Sequence, residues 1–513
     1  MIRIHNFLTT SDIDRTGHVC YNIKKSKEEH KVKKQLLASL LLVSLLSSIS
    51  CGDAATPDET TAKTPDGTET TAEETISDNL PDADFGGYEF RLIVPENSKD
   101  SYTPESETGE IVDDAIYRRN RTVEERFKIK LTSVSSGKTN SDEHLAEIRK
   151  LIEAGEDAAD MVLGTGKKLS TLALEGYFLN IRDIEHLDFT KPWWSSGLVD
   201  DLTFNGKMFT CSNNLSYDEF AGSKVYFFNK QLIENYRLDN PYDLVFDGKW
   251  TLDRLISMTK DTYEDLNGNG SPDENDRYGM LTTISHNAWS VALGIPEWQK
   301  NKDTIDIVAM SDRMLEAFDK IHDWYFNSKG LRTYSSGKDE NMQEIRKIFG
   351  EGRAVFSFGF IGWSGAEYRD SDVDYGIIPY PKFDETQENY RVFLGVNSIN
   401  MFSIPITVTN TDRTGVILEA LSAEGYRQVI PTYYEIALKD KYLRDEESVQ
   451  MLDLITASRT ISFSYMYDNY GKAGLGFGNC FTSSYKDSYA TFYAAQENAV
   501  KSRIADVLKA FTE

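Results

Sequence analysis

The chain has 513 residues, of which 40% are hydrophobic, so it can bury a large core and form more than one lobe. Its formal net charge is −26, and so acidic a surface repels nucleic acid. The composition therefore excludes nucleic-acid binding as the function.

The pattern of the first 50 residues predicts a leader segment that contains a signal peptide. Six lysines precede an apolar run from Leu36 to Ile49: Lys24, Lys25, Lys27, Lys31, Lys33 and Lys34. The run has about 14 residues, fewer than the roughly 20 that span a bilayer, which favours a cleaved signal peptide over a membrane anchor. Because residues 1–31 fit no part of a signal peptide, we expect that start to be mis-assigned. Translation would begin at Val32, and residues 32–50 would be the signal peptide.

Cys51 follows the small residue Ser50, which resembles the lipobox of bacterial lipoproteins, although Ser48 replaces the usual leucine. We expect Cys51 to be lipidated and to begin the mature chain. From Gly52 to Asp84 the sequence consists mainly of Thr, Glu, Asp, Ala and Pro, with almost no large apolar residue. It cannot bury enough apolar surface to compensate for the conformational entropy that it would lose on folding. Residues 51–84 are therefore predicted to be a lipid-anchored, disordered, acidic tether.

The folded part is expected from position 85 onwards, where alternation and helical spacing follow each other along the chain. In chain order, the patterns predict strand Tyr88–Val94, helix Ile111–Phe127, strand Lys128–Val134, helix Asp142–Ala154 and strand Asp160–Leu163. The last strand leads into the loop Gly164–Gly166, a position at which α/β sheets present loops to ligand. This alternation predicts an α/β fold with mixed sheets.

An acidic loop from Asp265 to Asp276 has the pattern of a twelve-position calcium loop. Its candidate Ca²⁺ ligands are Asp265, Asn267, Asn269, Ser271, Asp273 and Asp276. Gly270 supplies the sharp bend, and Asp276 stands where glutamate is usual. We expect a structural calcium ion, with no pair of helices to act as a sensor. The alternative is a solvated loop of Asx turns without metal.

The cysteines lie at positions 20, 51, 211 and 480, without the short spacing of zinc or dithiol sites. With Cys20 removed and Cys51 lipidated, Cys211 and Cys480 are left either as a disulfide or as two buried free thiols. The sequence does not separate these alternatives.

Several short motifs, in this order and spacing, carry a family resemblance over positions 85–513. They are Arg119-Asn120, Val123–Phe127, Asp160–Gly166, Glu175–Leu179, Phe204–Phe209, Tyr226–Lys230, Trp250–Asp253 and Phe349–Trp363. With them the chain resembles the extracellular solute-binding proteins of ABC sugar importers, family 1 type. The resemblance implies a two-lobed, type II periplasmic-binding-protein-like fold, in which crossing strands form a hinge and ligand binds in the cleft between the lobes.

The same resemblance implies where the lobes begin and end. Lobe 1 would comprise residues 85–210 plus 358–406, including a strand from Tyr375 to Pro379. Lobe 2 would comprise residues 211–357 plus 407–513, including the helices from Thr411 onwards. The chain would cross near Thr210 to Asn214 and return near Phe356 to Phe360.

Sugar binding needs aromatic faces for the ring and polar groups for the hydroxyls. Eight residues in segments that resemble cleft loops, crossings or strand ends are the candidate ligand contacts: Thr165, Trp193, Trp194, Asn213, Tyr217, Asp218, Trp289 and Trp363. For each tryptophan the alternative is core packing, and for Asp218 it is a solvated acid. Trp250 and Trp324 are expected in the core.

The expected function is therefore that of a substrate-binding lipoprotein, which is not an enzyme and has no catalytic residues. It would capture a sugar or oligosaccharide by lobe closure and deliver it to ABC permease and ATPase subunits, from the extracellular face of the cell membrane. Two alternatives are a surface glycoside hydrolase and a carbohydrate adhesin without a transport role. No motif isolates the carboxylate pair that a hydrolase needs.

Overall fold

Two β-sheets carry most of the strands in the computed structural model, which describes residues 76–513 except 136, 140–141, 156, 285–286, 336–338, 369, 435–445 and 470. The strands are β1 (Tyr88–Val94), β2 (Ile129–Ser135), β3 (Met161–Thr165), β4 (Lys224–Asn229), β5 (Tyr278–Thr283), β6 (Trp298–Lys300), β7 (Ile305–Ile307), β8 (Leu331–Tyr334), β9 (Ala354–Phe360), β10 (Tyr375–Ile378), β11 (Val392–Phe393), β12 (Asn400–Ser403) and β13 (Arg459–Thr460).

Helices connect and cover these strands. They are α1 (Lys99–Tyr102), α2 (Ile111–Phe127), α3 (Asp142–Glu153), α4 (Gly166–Leu174), α5 (Ser196–Leu202), α6 (Asp218–Ala221), α7 (Lys230–Asn235), α8 (Pro241–Phe246), α9 (Leu252–Thr259), α10 (Ala288–Ala292), α11 (Asp312–Asn327), α12 (Asp339–Gly350), α13 (Ile361–Ala366), α14 (Thr411–Glu424), α15 (Ile430–Thr432), α16 (Glu446–Ala457), α17 (Phe463–Tyr467), α18 (Phe477–Phe481) and α19 (Tyr489–Thr512).

The first sheet has the strand order β12-β3-β1-β2. β1 is parallel to β2 and β3, whereas β12 is antiparallel to β3. Phe90 and the run Leu92–Val94 are almost fully buried, as expected of a central strand covered by helices on both faces. The predicted β-α-β start is confirmed, and α2 ends where Lys128 adopts a left-handed φ of 52°.

The second sheet has the order β10-β4-β9-β5-β8. β5 is parallel to β8 and β9, and β4 is antiparallel to both β9 and β10. β10 pairs Tyr375 with Asn229 and Ile378 with Tyr226. The structure thus corrects the expectation that the strand Tyr375–Pro379 lies in lobe 1, because its four residues are buried against β4.

Three segments of the chain cross between the two sheets and pair with one another. They are residues 212–223, 379–399 and 458–461. Ser223 of the first crossing pairs with Leu394 of the second, whose backbone N donates to Thr460 O of the third at 3.0 Å. β11 and β13 also run parallel side by side. The return expected near Phe356 to Phe360 is therefore misplaced, since β9 stays in the second sheet.

The C-terminal helices lie mostly beside the first sheet. α14 packs against α2, and α17 and α19 pack against α4, whereas α16 packs against β10. α14 approaches closely because Gly415 has no side chain: a Cβ there would lie 2.0 Å from Glu185 O. α14 and α17 thus lie beside the first sheet, contrary to the expectation that the helices from Thr411 onwards complete lobe 2, whereas α16 lies beside the second sheet.

α19 contacts both halves of the molecule. Near its start, the ring of Tyr489 lies 5.5 Å from that of Phe318 on α11, which packs beside β8. Near its end, Phe511 is fully buried against Phe204 and Phe209, which precede the first crossing. With 24 residues, the helix is about 36 Å long.

The compact unit that holds both sheets already includes Asp78, within the predicted tether. Asp78 is 7% exposed and accepts hydrogen bonds from both terminal nitrogens of Arg126, and Leu80 packs against the core. The tether boundary at 84 is thus too late. The leader, Cys51 and most of the tether lie outside the described residues. Among the described helices, none has both the length and the apolar character to cross a membrane.

Candidate ligand-binding cleft

The strand ends and the crossing segments bring polar side chains together between the two sheets. Thr165 ends β3 and lies in register with Asn400, which opens β12 after the second crossing. Asn400 Nδ2 donates to Ser98 Oγ at 3.2 Å and to Asp218 Oδ2 at 3.4 Å. Two predicted ligand residues, Thr165 and Asp218, thus meet around one asparagine that sequence reasoning did not single out.

Asp218 is half-buried at the start of α6. Burial raises the pKa of its carboxyl, although hydrogen bonds from Tyr102, Asn400 and Ser216 oppose the shift. Tyr102 OH donates to Asp218 Oδ2 at 3.1 Å. The Asp218 carboxylate is therefore fixed by hydrogen bonds but partly accessible, so it can accept a hydrogen bond from a ligand hydroxyl group.

Tyr217 is also half-buried, but its ring is stacked on Tyr433 with centroids 4.7 Å apart. Asn213 is buried and donates to Ser422 Oγ on α14 at 2.5 Å, while its own Oδ1 accepts from Leu215 N. The ring of Tyr217 and the amide of Asn213 thus both contact other residues of the protein. Contact of either with ligand stays a prediction.

The predicted tryptophans occupy the core rather than a free face of the cleft. Trp193 and Trp194 are 0% and 2% exposed, and their indole nitrogens donate to the two carboxyl oxygens of Glu419. Trp289 is fully buried and donates to Tyr325 OH at 2.7 Å. The expectation that these rings face the cleft is therefore not met: each is held by a buried polar partner.

Trp363 is also fully buried, between Phe358 and Phe360 at centroid distances of 5.4 and 5.5 Å. It too presents no open face to ligand. Trp250 and Trp324 lie in the core, which confirms their assignment. Cys211 and Cys480 are both free and buried, so of the two alternatives for this pair the structure shows free thiols.

A second polar group lies where α17, which follows the third crossing, packs against α4. Lys167 is buried and donates to Asp468, and its Nζ lies 3.8 Å from the centroid of Tyr465. Tyr465 is half-buried and accepts a hydrogen bond of 3.1 Å from Asn397 of the second crossing. Sequence reasoning missed these residues, because they are scattered over 300 positions and belong to no motif.

Lys224 opens β4 beside them and is half-buried. Its Nζ lies 4.9 Å from the ring centroid of Phe393 and 5.8 Å from that of Phe360, a half-buried ring at the end of β9. Burial lowers the pKa of Lys224 to about 8. The sequence marks it only as a lysine directly before the apolar run Val225–Phe228.

The acidic loop lies apart in the chain, between α9 and β5. Asp265 accepts hydrogen bonds of 2.7 Å from Gly268 N and Gly270 N, and Asp273 accepts from the side chains of Asn267 and Asn269. Both glycines have positive φ, at 71° and 78°, which lets the loop turn inward. The loop is thus held by hydrogen bonds between its own side chains and backbone.

Asp276 closes this loop and is fully buried. Its oxygens accept from Tyr263 OH at 2.9 Å and from Leu266 N at 3.1 Å. Glu264 and Arg277 pair as an antiparallel bridge, and the strand β5 follows. The loop therefore joins a helix to a strand, as expected from the sequence, and Asp276 is its buried carboxylate.

Solved structures with the same architecture are found by comparison. A sugar transporter from Rhizobium etli in an open conformation matches with a TM-score of 0.52 at 13% identity, over 83% of this chain and 99% of that chain. The chain has the fold of ABC substrate-binding proteins. This is a two-lobed, periplasmic-binding-protein-like α/β fold, and the crossing segments described above connect its two sheets.

Two further structures share the substrate-binding-protein fold. An ABC substrate-binding protein from Listeria monocytogenes, in complex with cycloalternan, matches at 13% identity and TM-score 0.50, over 81% of this chain and 99% of that one. UgpB from Mycobacterium tuberculosis, in complex with glycerophosphocholine, matches at 14% identity and TM-score 0.50, over 82% and 99%. No family model and no curated protein matches the sequence.

Proposed function

We propose that this chain is the substrate-binding component of an ABC importer, and that it captures a sugar or oligosaccharide by closing its two lobes. The observation that carries the proposal is the cleft itself. Three crossing segments hinge two sheets, and half-buried polar and aromatic side chains line the junction: Asp218, Lys224, Phe360, Asn397, Asn400 and Tyr465. A glycan ligand needs both kinds of group.

The fold supports this proposal, and so does the cycloalternan bound by the structural neighbour from Listeria monocytogenes. A fold alone does not determine a ligand. The role as a binding protein rather than an enzyme is supported by the cleft carboxylates, since Asp468 is neutralised by Lys167 and Asp218 is held by Tyr102 and Asn400. Asp468, paired with Lys167, is therefore not a free partner for Asp218 in the carboxyl pair that a hydrolase needs.

Glycan-array binding followed by small-angle scattering tests the proposal. We expect a hit that is bound without turnover, and a smaller radius of gyration when it is added. Hydrolysis of the hit would instead identify a glycosidase. Binding without compaction would identify an adhesin, and absence of any glycan binding would overturn the sugar assignment.

We further propose that Cys51 is lipidated and holds the protein at the extracellular face of the cell membrane, where permease and ATPase subunits take over the ligand. The apolar run before Cys51 and the acidic composition after it support this anchor. Mass spectrometry of the mature protein should find an acylated N-terminal Cys51. A Cys51→Ser variant should be released from membranes, and equal membrane retention of both would argue against the anchor.

We also propose that the loop from Asp265 to Asp276 binds a structural Ca²⁺ ion. Asp265, Asn267, Asn269, Asp273 and Asp276 would supply side-chain oxygens and Ser271 its carbonyl, which is the hard donor set that calcium prefers. The ion would replace hydrogen bonds that the loop now makes with itself. Its role would be to fasten this loop of the second lobe.

Thermal melts in EDTA and in excess calcium test the calcium site. At a hundredfold excess over Kd we expect about 2.7 kcal/mol of stabilisation. The double variant Asp265→Asn with Asp273→Asn should lose this response and should otherwise melt like the EDTA-treated protein. Identical melting curves for the unmodified chain in EDTA and calcium, with no bound metal by mass spectrometry, would refute the site.

A further inference from the structure

Lys224 stands where three parts of the cleft meet. It lies in register with Phe360 at the carboxyl end of β9, and its neighbour Ser223 pairs with Leu394 of the second crossing. Its stem packs beside Gly395, where an added Cβ would lie 3.3 Å from Lys224 Cε. The backbone of the second crossing thus comes close to the stem of the lysine, whose half-buried ammonium group lies near rings of the second crossing and of the end of β9.

The surroundings of this ammonium group are aromatic. Its cation lies over Phe393 and near Phe360, and it forms no ion pair with any carboxylate of the described residues. The carboxylate of Asp218, on the first crossing, accepts hydrogen bonds from Tyr102 and Asn400 and forms no ion pair with Lys224. Cation–π contacts of this kind contribute about 0.5–2 kcal/mol each, less than the cost of burying an uncompensated charge.

Lys167 provides an internal comparison. The rings of Phe393 and Tyr465 meet edge to face at 5.4 Å, with Lys224 over the first and Lys167 over the second. Lys167 is fully buried and is neutralised by Asp468. Two lysines thus flank one pair of rings, and the protein supplies a counter-ion to the more buried one alone.

We propose that the counter-ion of Lys224 comes from the ligand, so that the cleft takes an acidic glycan. Its carboxylate, or its sulfate or phosphate ester, would pair with the ammonium group, while the sugar ring would pack against the half-buried face of Phe360. This inference rests on the proposed sugar-binding function and narrows its substrate class. The low pKa of Lys224 agrees with a cation that lacks its partner.

The test begins with the full mature chain on an array of neutral, uronate-containing, sulfated and phosphorylated oligosaccharides. The best hit and its uncharged counterpart are then measured by calorimetry against the unmodified protein, Lys224→Met and Lys224→Arg. Lys486→Met is the matched control, because Lys486 is also a cation over a phenylalanine, at 4.7 Å from Phe326, but is exposed and paired with Asp487. Melting curves verify that each variant is folded.

We expect an acidic hit whose affinity falls about tenfold to a hundredfold in Lys224→Met, the usual effect of losing a charge-assisted hydrogen bond. Lys224→Arg should retain most of the affinity, and Lys486→Met all of it. A uronate hit assigns the anion to a carboxylate, and a sulfated or phosphorylated hit assigns it to an ester.

Two results would overturn the inference while leaving sugar binding in place. One is a neutral glycan bound as tightly as its acidic counterpart, and the other is an acidic glycan bound equally well by Lys224→Met. If the array shows no glycan bound at all, the inference and the proposed function both fail.

Discussion

Glu419 is buried beneath two tryptophans and accepts indole hydrogen bonds of 2.9 and 2.8 Å from Trp193 and Trp194. Burial raises the pKa of its carboxyl from about 4.5 to about 7, although both indole N–H groups oppose the shift. The folded protein therefore keeps a proton on Glu419 in a pH range where the unfolded chain has already lost it.

This difference predicts that stability falls as the pH rises from about 4.5 to 7. In that window the folded state binds more protons than the unfolded state, so each pH unit costs up to about 1.4 kcal/mol, or roughly 3 kcal/mol in all. Urea titrations between pH 4.5 and 8 measure the free energy of unfolding. Glu419→Gln, which stays neutral, should flatten this part of the profile, and an unchanged slope in the variant would exclude Glu419 as its source.

The tryptophans also show where residue-level prediction ends. An aromatic residue in a loop is equally suited to a core or to a sugar site, and the sequence does not show which way its ring points. For Trp193 the decisive partner, Glu419, lies 226 positions away. By contrast, the place of Thr165 at the carboxyl end of β3 could be predicted, because it follows from one local feature, the end of a buried strand; its contact with ligand stays a prediction.

At the scale of elements, local periodicity was sufficient to predict where β1 and α2 begin and end. β1 and α2 occupy their predicted ranges, since alternation and helical spacing are properties of a few consecutive residues. The partner of a strand is a different matter. β10 was predicted as a strand but assigned to the wrong sheet, because pairing with β4 depends on contacts about 150 residues apart.

The crossing segments are held together by a buried ion pair. Arg459 on β13 and Glu219 on α6 are 7% and 1% exposed, with Nη1 and Oε2 3.1 Å apart, although these two atoms are not aligned for a hydrogen bond. Arg459 also lies 4.4 Å from the ring of Phe220. The pair thus joins the first crossing to the third.

Removing one partner of the Arg459–Glu219 ion pair should lower the stability of the fold. Glu219→Gln leaves the Arg459 guanidinium buried without a counter-ion, and we expect a loss of about 3–5 kcal/mol in the free energy of unfolding. Replacing both residues by methionine should recover much of that loss, since a buried ion pair is often no better than apolar packing. Denaturant unfolding compares the three proteins. A loss below 1 kcal/mol in the single variant would mean that water reaches Arg459.

At the scale of the whole molecule, α19 is a structural element that the sequence analysis placed in lobe 2 alone. Its last turn is fixed by Phe511, which is fully buried, and by the Phe511 carbonyl oxygen, which accepts a hydrogen bond of 2.9 Å from Asn205. Its amphipathic pattern predicts a helix, but not that the two ends contact different sheets.

Phe511→Ala tests the contribution of this end. The variant removes a buried ring that touches Phe204, Phe209 and Phe463, and we expect a loss of about 3–5 kcal/mol in the free energy of unfolding. Thr512→Ala, one position further, is the control and should change stability by less than about 0.5 kcal/mol. A small effect of Phe511→Ala, measured by urea unfolding, would show that the helix end is not required for the fold.

The double attachment of α19 has a consequence for how the cleft closes. A helix resists both stretching and compression, so α19 holds its two anchor points, Tyr489 and Phe511, about 33 Å apart. Two lobes that are joined by this helix as well as by the crossing segments cannot simply swing apart about those segments. They can rotate about the line between the anchor points, so we expect ligand to enter and leave by a twist of one lobe over the other.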